Sequence, residues 1–230
     1  QSARATGKGN AVIATTKDAS SIWHNPAGLA HVKGTSFQAG VSAILPDNDY
    51  VGPGFPSTNP GGEDVTATLN SSPAFVPHFY AAQALSDRAV VGLGFYASYG
   101  LGTSWEDPGN WVGRTQAETT ELRALFFTPT VALKPTEWLN VAVGLQLVPA
   151  TLDLDQTLGG ADGNVLFPRA NPNELDGRFR IAASAFGVGA TAGFQIEATK
   201  NLHFGFVYRS AVDLSFEGDI DFSLPSNVPT

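Results

Sequence analysis

The chain of 230 residues contains no cysteine and no methionine. Without cysteine there is no disulfide framework, no thiolate nucleophile and no cysteine-ligated metal. Because methionine is missing even at the first position, we expect a processing site or a sequence boundary in front of Gln1. These absences exclude chemistry that depends on sulfur, and they leave the fold class open.

Positive charge is also scarce, because thirteen Lys and Arg stand against twenty-one Asp and Glu, for a formal net charge of -8. The basic residues are scattered along the chain, whereas phosphate binding requires them in clusters. Nucleic acid is therefore not an expected partner. No run of about eighteen apolar residues occurs, which excludes an ordinary transmembrane helix but not a membrane β-barrel.

Common sequence signatures of enzymes are missing as well: a G-x-S-x-G motif, an H-E-x-x-H motif and a glycine-rich phosphate loop followed by a helix. His78 and His203 have no evident partner for a Ser-His pair. We therefore expect no enzyme activity, no cofactor and no metal site. The chain is instead rich in glycine and phenylalanine, with 25 and 15 residues, and this composition suits a protein with much weakly polar surface.

From Thr35 onward, larger apolar residues alternate with small or polar ones at a period of two, which is typical of a β-strand with one apolar face. In the third such segment, the apolar face is predicted to run from Val91 through Phe95 to Tyr99. In the seventh, it is predicted to run from Leu202 to Phe216. Seven strands are predicted, at residues 35–45, 74–85, 89–101, 118–134, 138–148, 186–196 and 202–217.

The connections between the predicted strands alternate between two lengths. Short polar turns lie at residues 86–88, 135–137 and 199–201, and long connections lie at residues 47–73, 102–117 and 157–178. This alternation is typical of an outer-membrane barrel, and Trp138 and Tyr99 near strand ends suit its aromatic girdle. The predicted fold class is therefore an all-β antiparallel transmembrane barrel. An antiparallel sandwich is the alternative, because it has the same period of two.

The odd number of strands leads to a prediction about the size of the barrel. Bacterial single-chain barrels have an even number of strands, and hydrocarbon does not tolerate an open sheet edge. Seven strands are therefore expected to be about half of a larger barrel. We expect a break or truncation of the barrel near Thr230.

Three segments, in this order and spacing, resemble the FadL/TodX family of outer-membrane transporters for hydrophobic compounds. They are ATGKGNAVIATTKDASSIWHNPAGLA, VPHFYAAQALSDRAVVGLGFYASYGLGTSW and VYRSAVDLSFEGDIDF, and the resemblance covers nearly the whole chain. Lys8 is a departure, since the family often has a large apolar residue there. The most specific pieces are the NPA at Asn25, Pro26 and Ala27 and the YRS at Tyr208, Arg209 and Ser210.

The resemblance implies a fourteen-stranded barrel in the bacterial outer membrane, acting as a monomer among outer-membrane lipids. It implies an N-terminal hatch at residues 1–34, gated at the NPA of Asn25, Pro26 and Ala27, with barrel strands over residues 35–230. It further implies diffusion of long-chain fatty acids or similar hydrophobic molecules, which leave sideways through a kinked third strand. By this resemblance the lateral opening is expected at Ser98, Tyr99 and Gly100.

Other interpretations of single sites remain open. Arg209 could contact a carboxylate headgroup, or it could form a structural charge ladder with Asp213 and Glu217 on one strand face. His24 and His31 suggest a pH or metal role, although hydrogen bonding within a plug is the more common use. Residues 153–164 hint at calcium but lack the spacing of an EF-hand loop. A porin for polar solutes and an adhesion or phage-attachment protein are the rival functions.

Overall fold

A computed structural model of the chain describes residues 2–53, 63–70, 73–107, 111–114, 116–158 and 177–223. The N-terminal segment forms helix α1, helix α2 and a 3-10 helix, at Ala3–Thr6, Ser21–His24 and Pro26–His31. Within the described part of the chain, no helix is long and apolar enough to cross a membrane. The strands are β1 Thr35–Ile44, β2 Asp49–Pro53, β3 Asp64–Thr68, β4 Ala74–Ser86, β5 Ala89–Ser104, β6 Thr119–Thr136, β7 Leu139–Leu158, β8 Gly177–Glu197, β9 His203–Arg209 and β10 Glu217–Ser223.

One antiparallel sheet contains most of the strands, in the order β1-β4-β5-β6-β7-β8-β10, and β9 also pairs with β8. Strands β9 and β10 lie one after the other along the same edge of β8. The seven predicted strands therefore all lie in this sheet, with the seventh divided in two. The connection predicted at residues 47–73 contains a separate two-stranded sheet, β2-β3.

The sheet has two different faces. One face, which we call the open face, carries large apolar side chains that are exposed in this chain, and the predicted alternation is confirmed along most strands. The opposite face carries mostly small and polar residues, with a few buried aromatic ones, and much of it is covered by the N-terminal segment of residues 2–34, so we call it the covered face. The open face includes Phe37, Val41, Phe79, Leu93, Val131, Val143, Leu145, Phe186, Val188, Phe204 and Phe206.

Glycines on the covered face let the N-terminal segment approach the sheet closely. A Cβ at Gly94 of β5 would lie only 2.8 Å from Cγ2 of Ile22. A Cβ at Gly193 of β8 would overlap with Oδ1 of Asn25. Because interiors are packed at close to crystalline density, such contacts leave no room for a larger side chain. The small residues of the covered face therefore form the surface on which the N-terminal segment packs.

The prediction of one continuous apolar face is wrong in β5 beyond Ser98. Ala97 lies opposite Leu125 of β6, but Tyr99 lies opposite Ala124, so β5 contains one extra residue at Ser98. Such a β-bulge moves every following side chain to the other face, because the side-chain period in a strand is two. Sequence periodicity could not reveal the insertion, since it is visible only against the partner strand.

Tyr99 consequently lies on the covered face, and its predicted place in an aromatic girdle on the outside is wrong. Its ring centroid is 5.9 Å from that of Phe126, a residue that is 4% exposed on the covered face. Beyond the bulge, Gly100 and Gly102 take the positions on the open face. Strand β5 therefore has no side chain at these two positions of the open face.

A second reversal divides the seventh strand. Arg209 at the end of β9 lies opposite Thr191, and Glu217 at the start of β10 lies opposite Ser184. Residues 210–216 therefore face residues 185–190, with one residue more than their partner strand. The prediction that residues 202–216 share one apolar face is wrong for its last part. The residues that turn to the covered face, where they pack against the buried core, are Val212, Leu214 and Phe216.

Candidate functional site

Asn25 joins three parts of the molecule. It is completely buried, and its side-chain Oδ1 accepts a hydrogen bond of 3.2 Å from the backbone N–H of Ala27, which caps the 3-10 helix. Its Nδ2 donates to the carbonyl oxygens of Ile13, at 2.9 Å, and of Phe194 in β8, at 3.0 Å. Pro26 suits the first helical position because it has no N–H to satisfy. The predicted NPA turn therefore fastens the N-terminal segment to the sheet.

Further polar contacts lie around Asn25, all of them with the ends of β7 and β8. We call them, together with the bonds of Asn25, the anchoring contacts. Two of them join a sheet side chain to backbone carbonyls of the N-terminal segment, and two join a sheet side chain to side chains of that segment. The contacts are Gln195 Nε2 to Ile13 O at 3.0 Å, Gln195 Nε2 to Thr16 O at 3.2 Å, Asn140 Nδ2 with His31 Nε2 at 3.0 Å, and Lys17 Nζ to Glu197 Oε1 at 2.6 Å.

The other side of the N-terminal segment is apolar. Ile22 and Leu29 are buried and lie over Gly92 and Gly94 of β5. We call this the apolar seat. An aromatic row continues from it across the covered face: Tyr80 to Tyr96 at 6.0 Å, then Tyr96 stacked on Phe126 at 5.6 Å between centroids.

Trp23 connects the N-terminal segment to both irregular places in the sheet. Its indole Nε1 donates a hydrogen bond of 3.1 Å to the Oγ of Ser98, the bulge residue of β5. Its carbonyl oxygen accepts a hydrogen bond from Arg209, whose guanidinium carbon lies 5.6 Å from the centre of the Trp23 ring. Sequence reasoning did not single out Trp23, because its partners lie 75 and 186 residues away.

Arg209 does not lie in the predicted ladder. The extra residue between β9 and β10 places Arg209 on the covered face opposite Thr191, while Glu217 lies opposite Ser184 on the open face. The prediction that Arg209, Asp213 and Glu217 share one face is therefore wrong. The guanidinium contacts the N-terminal segment instead.

The predicted kink region borders a gap in the sheet. The backbone pairing described between β4 and β5 ends at His78 and Tyr96. Beyond that pair, the described part of β4 pairs with β1 over 74–77, and β5 pairs with β6 over 97–104. Pro77 lies immediately beyond the last pair and has no N–H to donate to a ladder. We call this interval the β4-β5 gap.

The gap is closed again at its far end. Leu69 forms an isolated antiparallel bridge with Trp105, and the N–H of Asn70 donates to the carbonyl of Ser104 at 2.6 Å. The Trp105 ring stacks on Trp111 at 3.8 Å between centroids. Paired backbone therefore closes the gap at both ends, and the Ser98 bulge lies on its β5 side.

The histidines of the N-terminal segment are mostly uncharged at neutral pH. The pKa of His24 is lowered to about 4, mainly because burial disfavours the charged imidazolium; Arg209 contributes to the lowering and Asp18 opposes it. The Nε2 of His24 has no hydrogen-bond partner among the described residues. Burial also lowers the pKa of His31, and this histidine hydrogen-bonds with Asn140.

No metal site emerges from the described residues. Among them there is no group of three or more His, Asp or Glu that could hold an ion. Within the candidate calcium segment, residues 153–158 form the end of β7, and residues 159–164 lie outside the described ranges.

Comparison with known proteins gives concordant results. A family model described as outer membrane protein transport protein (OMPP1/FadL/TodX) matches residues 1–228. The chain is 26% identical over 219 residues to a long-chain fatty acid transport protein of Salmonella typhi, covering 92% of this chain and 49% of the relative. It therefore spans about half the length of the curated relatives that it matches.

Two solved structures have a similar fold. A Pseudomonas aeruginosa FadL homologue superposes with a TM-score of 0.72 at 17% identity, over 93% of this chain and 52% of the homologue. The Pseudomonas putida toluene transporter TodX gives a TM-score of 0.65 at 19% identity, over 92% of this chain and 56% of TodX. At these identities the likeness establishes the fold alone.

Proposed function

The chain belongs to the OMPP1/FadL/TodX family of outer membrane transport proteins, and from this premise we propose that it forms about half of a channel for hydrophobic molecules. Long-chain fatty acids are the first candidate cargo, because the curated relative is a long-chain fatty acid transport protein. The observation that carries the proposal is the β4-β5 gap, bordered by a covered face on which an N-terminal plug is seated.

The open face supports a barrel wall in lipid. Its exposed phenylalanine, leucine and valine side chains would cost free energy in water but not in hydrocarbon. Strand β1 has no described partner on its outer side, and such an edge requires pairing within a membrane. In the proposed barrel, further strands outside these 230 residues close both edges, and the covered face lines the lumen.

Residues 1–34 are proposed to be the hatch that gates this lumen, with Asn25, Pro26 and Ala27 at its fixed end. Support comes from the contrast between its two sides, since polar bonds hold it to β7 and β8 and apolar contacts hold it to β5. A hydrophobic ligand competes directly with the apolar contacts but offers nothing in exchange for the hydrogen bonds. The hatch would therefore move first at the apolar seat.

Lateral exit is proposed through the β4-β5 gap, past Ser98, Tyr99 and Gly100. Among the described residues, no backbone pairing joins β4 to β5 on this interval, and this supports the exit, because paired strands leave no passage between them. The β5 arm over residues 97–104 is about 26 Å long at about 3.3 Å per residue, a length that suits an extended acyl chain. Leaving sideways into lipid spares such a chain from being exposed to water again.

Arg209 remains a candidate contact for a carboxylate headgroup. In the arrangement described here its guanidinium is engaged with Trp23. Binding a ligand carboxylate therefore requires the hatch to move away from Arg209. A charged hydrogen bond to the carboxylate would then replace the one to the carbonyl.

The test is uptake of a labelled long-chain fatty acid beside a labelled small sugar, in cells that lack their own transporter and express the full-length protein. We expect fatty-acid uptake without sugar entry. Sugar entry without fatty-acid uptake would instead identify a porin. If neither enters while deletion of outer loops abolishes phage attachment or adhesion, the surface role is correct and the channel proposal fails.

The exit is tested separately with Gly100→Trp, which puts a bulky ring beside the gap, and with Gly100→Ala as the matched small variant. Fatty-acid uptake should fall at least about tenfold in the first variant and stay near the parent rate in the second. Unchanged uptake by a correctly assembled Gly100→Trp protein would remove the gap as the exit.

A further inference from the structure

Trp23 lies between the two places where the sheet departs from regular pairing. Ser98 is the extra residue of β5, and Arg209 is the last residue of β9 before the irregular stretch 210–216. Strands β6, β7 and β8 separate these two strands in the sheet. One residue of the N-terminal segment thus contacts the first irregularity and the residue directly before the second, both from the covered face.

Trp23 contacts Ser98, the residue that makes the bulge. A bulge residue has no opposite partner in the ladder, so its conformation is less constrained than that of its neighbours. The hydroxyl of Ser98 accepts the indole N–H at 3.1 Å and thereby ties this conformation to the position of α2. The bulge also decides which face Tyr99 and Gly100 occupy, beside the β4-β5 gap.

We propose that Trp23 is a positioning residue that couples the hatch to the frame of the β4-β5 gap through its hydrogen bond to Ser98. The inference rests on the proposed function, in which the hatch moves and the gap is the exit. When α2 is seated, the indole holds Ser98 in its bulged conformation. When α2 moves, the bulge is released, so hatch movement and the shape of the exit change together.

Coupling of this kind is reciprocal by thermodynamic necessity. Loss of the indole N–H must loosen the bulge, and loss of the Ser98 hydroxyl must loosen the hatch by the same factor. If Trp23 acted only by packing, the two effects would not be equal, because removing the Ser98 hydroxyl would leave the hatch unchanged. Reciprocity is therefore the property to measure.

The experiment is amide hydrogen exchange of the purified, ligand-free full-length protein, followed in two peptides that cover residues 18–28 and 95–104. The variants are Trp23→Phe, Ser98→Ala and the double variant. Trp23→Phe keeps an aromatic face and a carbonyl for Arg209 and removes the indole N–H together with part of the ring, whereas Ser98→Ala removes the same hydrogen bond without changing the ring. Trp138→Phe, at an exposed tryptophan beyond the end of β6, is the matched control.

We expect exchange to rise about fivefold in both peptides in each single variant, the size expected for one partly buried hydrogen bond. The double variant should exchange no faster than the single ones, and Ser98→Thr, which keeps the hydroxyl, should match the parent. The inference is overturned if Trp23→Phe changes only the hatch peptide and Ser98→Ala only the strand peptide. Because no cargo is present, this result is independent of the uptake that tests the proposed function.

Discussion

The two sides of the proposed hatch, the N-terminal segment, are held by different interactions. Towards β7 and β8 it is held by the anchoring contacts, in which buried amide side chains donate to backbone carbonyls. Towards β5 it is held by the apolar seat, in which Ile22 and Leu29 lie on glycines. Hydrogen bonds are directional and lose their strength when an atom moves by an ångström, whereas apolar contacts tolerate sliding and exchange of partners. If the N-terminal segment moves as proposed, this difference predicts a pivot at β8 and a movable end at β5.

The apolar seat gives the largest expected effect. Ile22→Ala removes a completely buried side chain and should weaken docking of the hatch by about 3 kcal/mol, or about 100-fold, because the glycines beneath cannot fill the space. Amide exchange of residues 18–28 in the full-length protein measures it. Ile13→Ala, at a hatch isoleucine that is 42% exposed, is the matched control and should have a much smaller effect. Equal effects at the two positions would contradict the apolar seat.

The anchoring contacts should give the next effect. Asn25→Ala removes the two bonds that the side chain donates, to the carbonyls of Ile13 and Phe194, and the one that it accepts from Ala27, at a cost of about 2 kcal/mol. The companion Asn25→Asp keeps the acceptor for Ala27 but cannot donate, so it should be at least as harmful. Limited proteolysis of the hatch measures both variants. A pivot at β8 would be disproved if either variant left cleavage at the parent rate.

A smaller effect should come from pH. The pKa of His24 lies below its ordinary value in the docked hatch, because burial disfavours the charged imidazolium. The contribution of neutral His24 to the stability of the docked segment is therefore fully present above about pH 6.5, and it is lost as the pH falls from there towards 4. Between pH 7.5 and 5.5 we expect docking to weaken about tenfold.

The measurement is hatch exchange at the two pH values, corrected for the intrinsic pH dependence of exchange. His24→Phe should keep only the dependence that comes from His31, whose pKa burial also lowers. A parent protein that docks equally well at both pH values would show that His24 is accessible to water in the hatch.

The ion pair of the anchoring contacts should matter least. Lys17 is 43% exposed at its side chain and Glu197 31%, so water screens their attraction. Lys17→Met should therefore weaken docking by no more than about 0.5 kcal/mol, about twofold. Lys33→Met, at an exposed lysine just beyond the 3-10 helix, is the control in the same exchange measurement. A tenfold effect of Lys17→Met alone would mean that charge, and not the buried amides, holds the pivot.

Sequence periodicity was sufficient to locate the strands of the main sheet and most of their faces, because alternation is a local property of a strand, but it missed β2 and β3 and the division of the seventh strand. It failed at Tyr99 and at Val212, where one extra residue reverses the faces, because the insertion exists only relative to the partner strand. The resemblance pointed to Ser98 and to Asn25 as sites, and both lie at contacts of the N-terminal segment. The hydrogen bond from Trp23 to Ser98 could not be predicted, since nothing local in either segment refers to the other.

The bond between Asn25 and the carbonyl of Phe194 spans 169 residues, and that between Gln195 and Ile13 spans 182. Contacts so distant along the chain form only after the intervening segments are in order, and closing long loops slows folding. The hatch is synthesised before every strand, yet it has no pivot to dock on until β8 has joined the sheet. In the order of folding, the first segment of this chain is therefore among the last to reach its place.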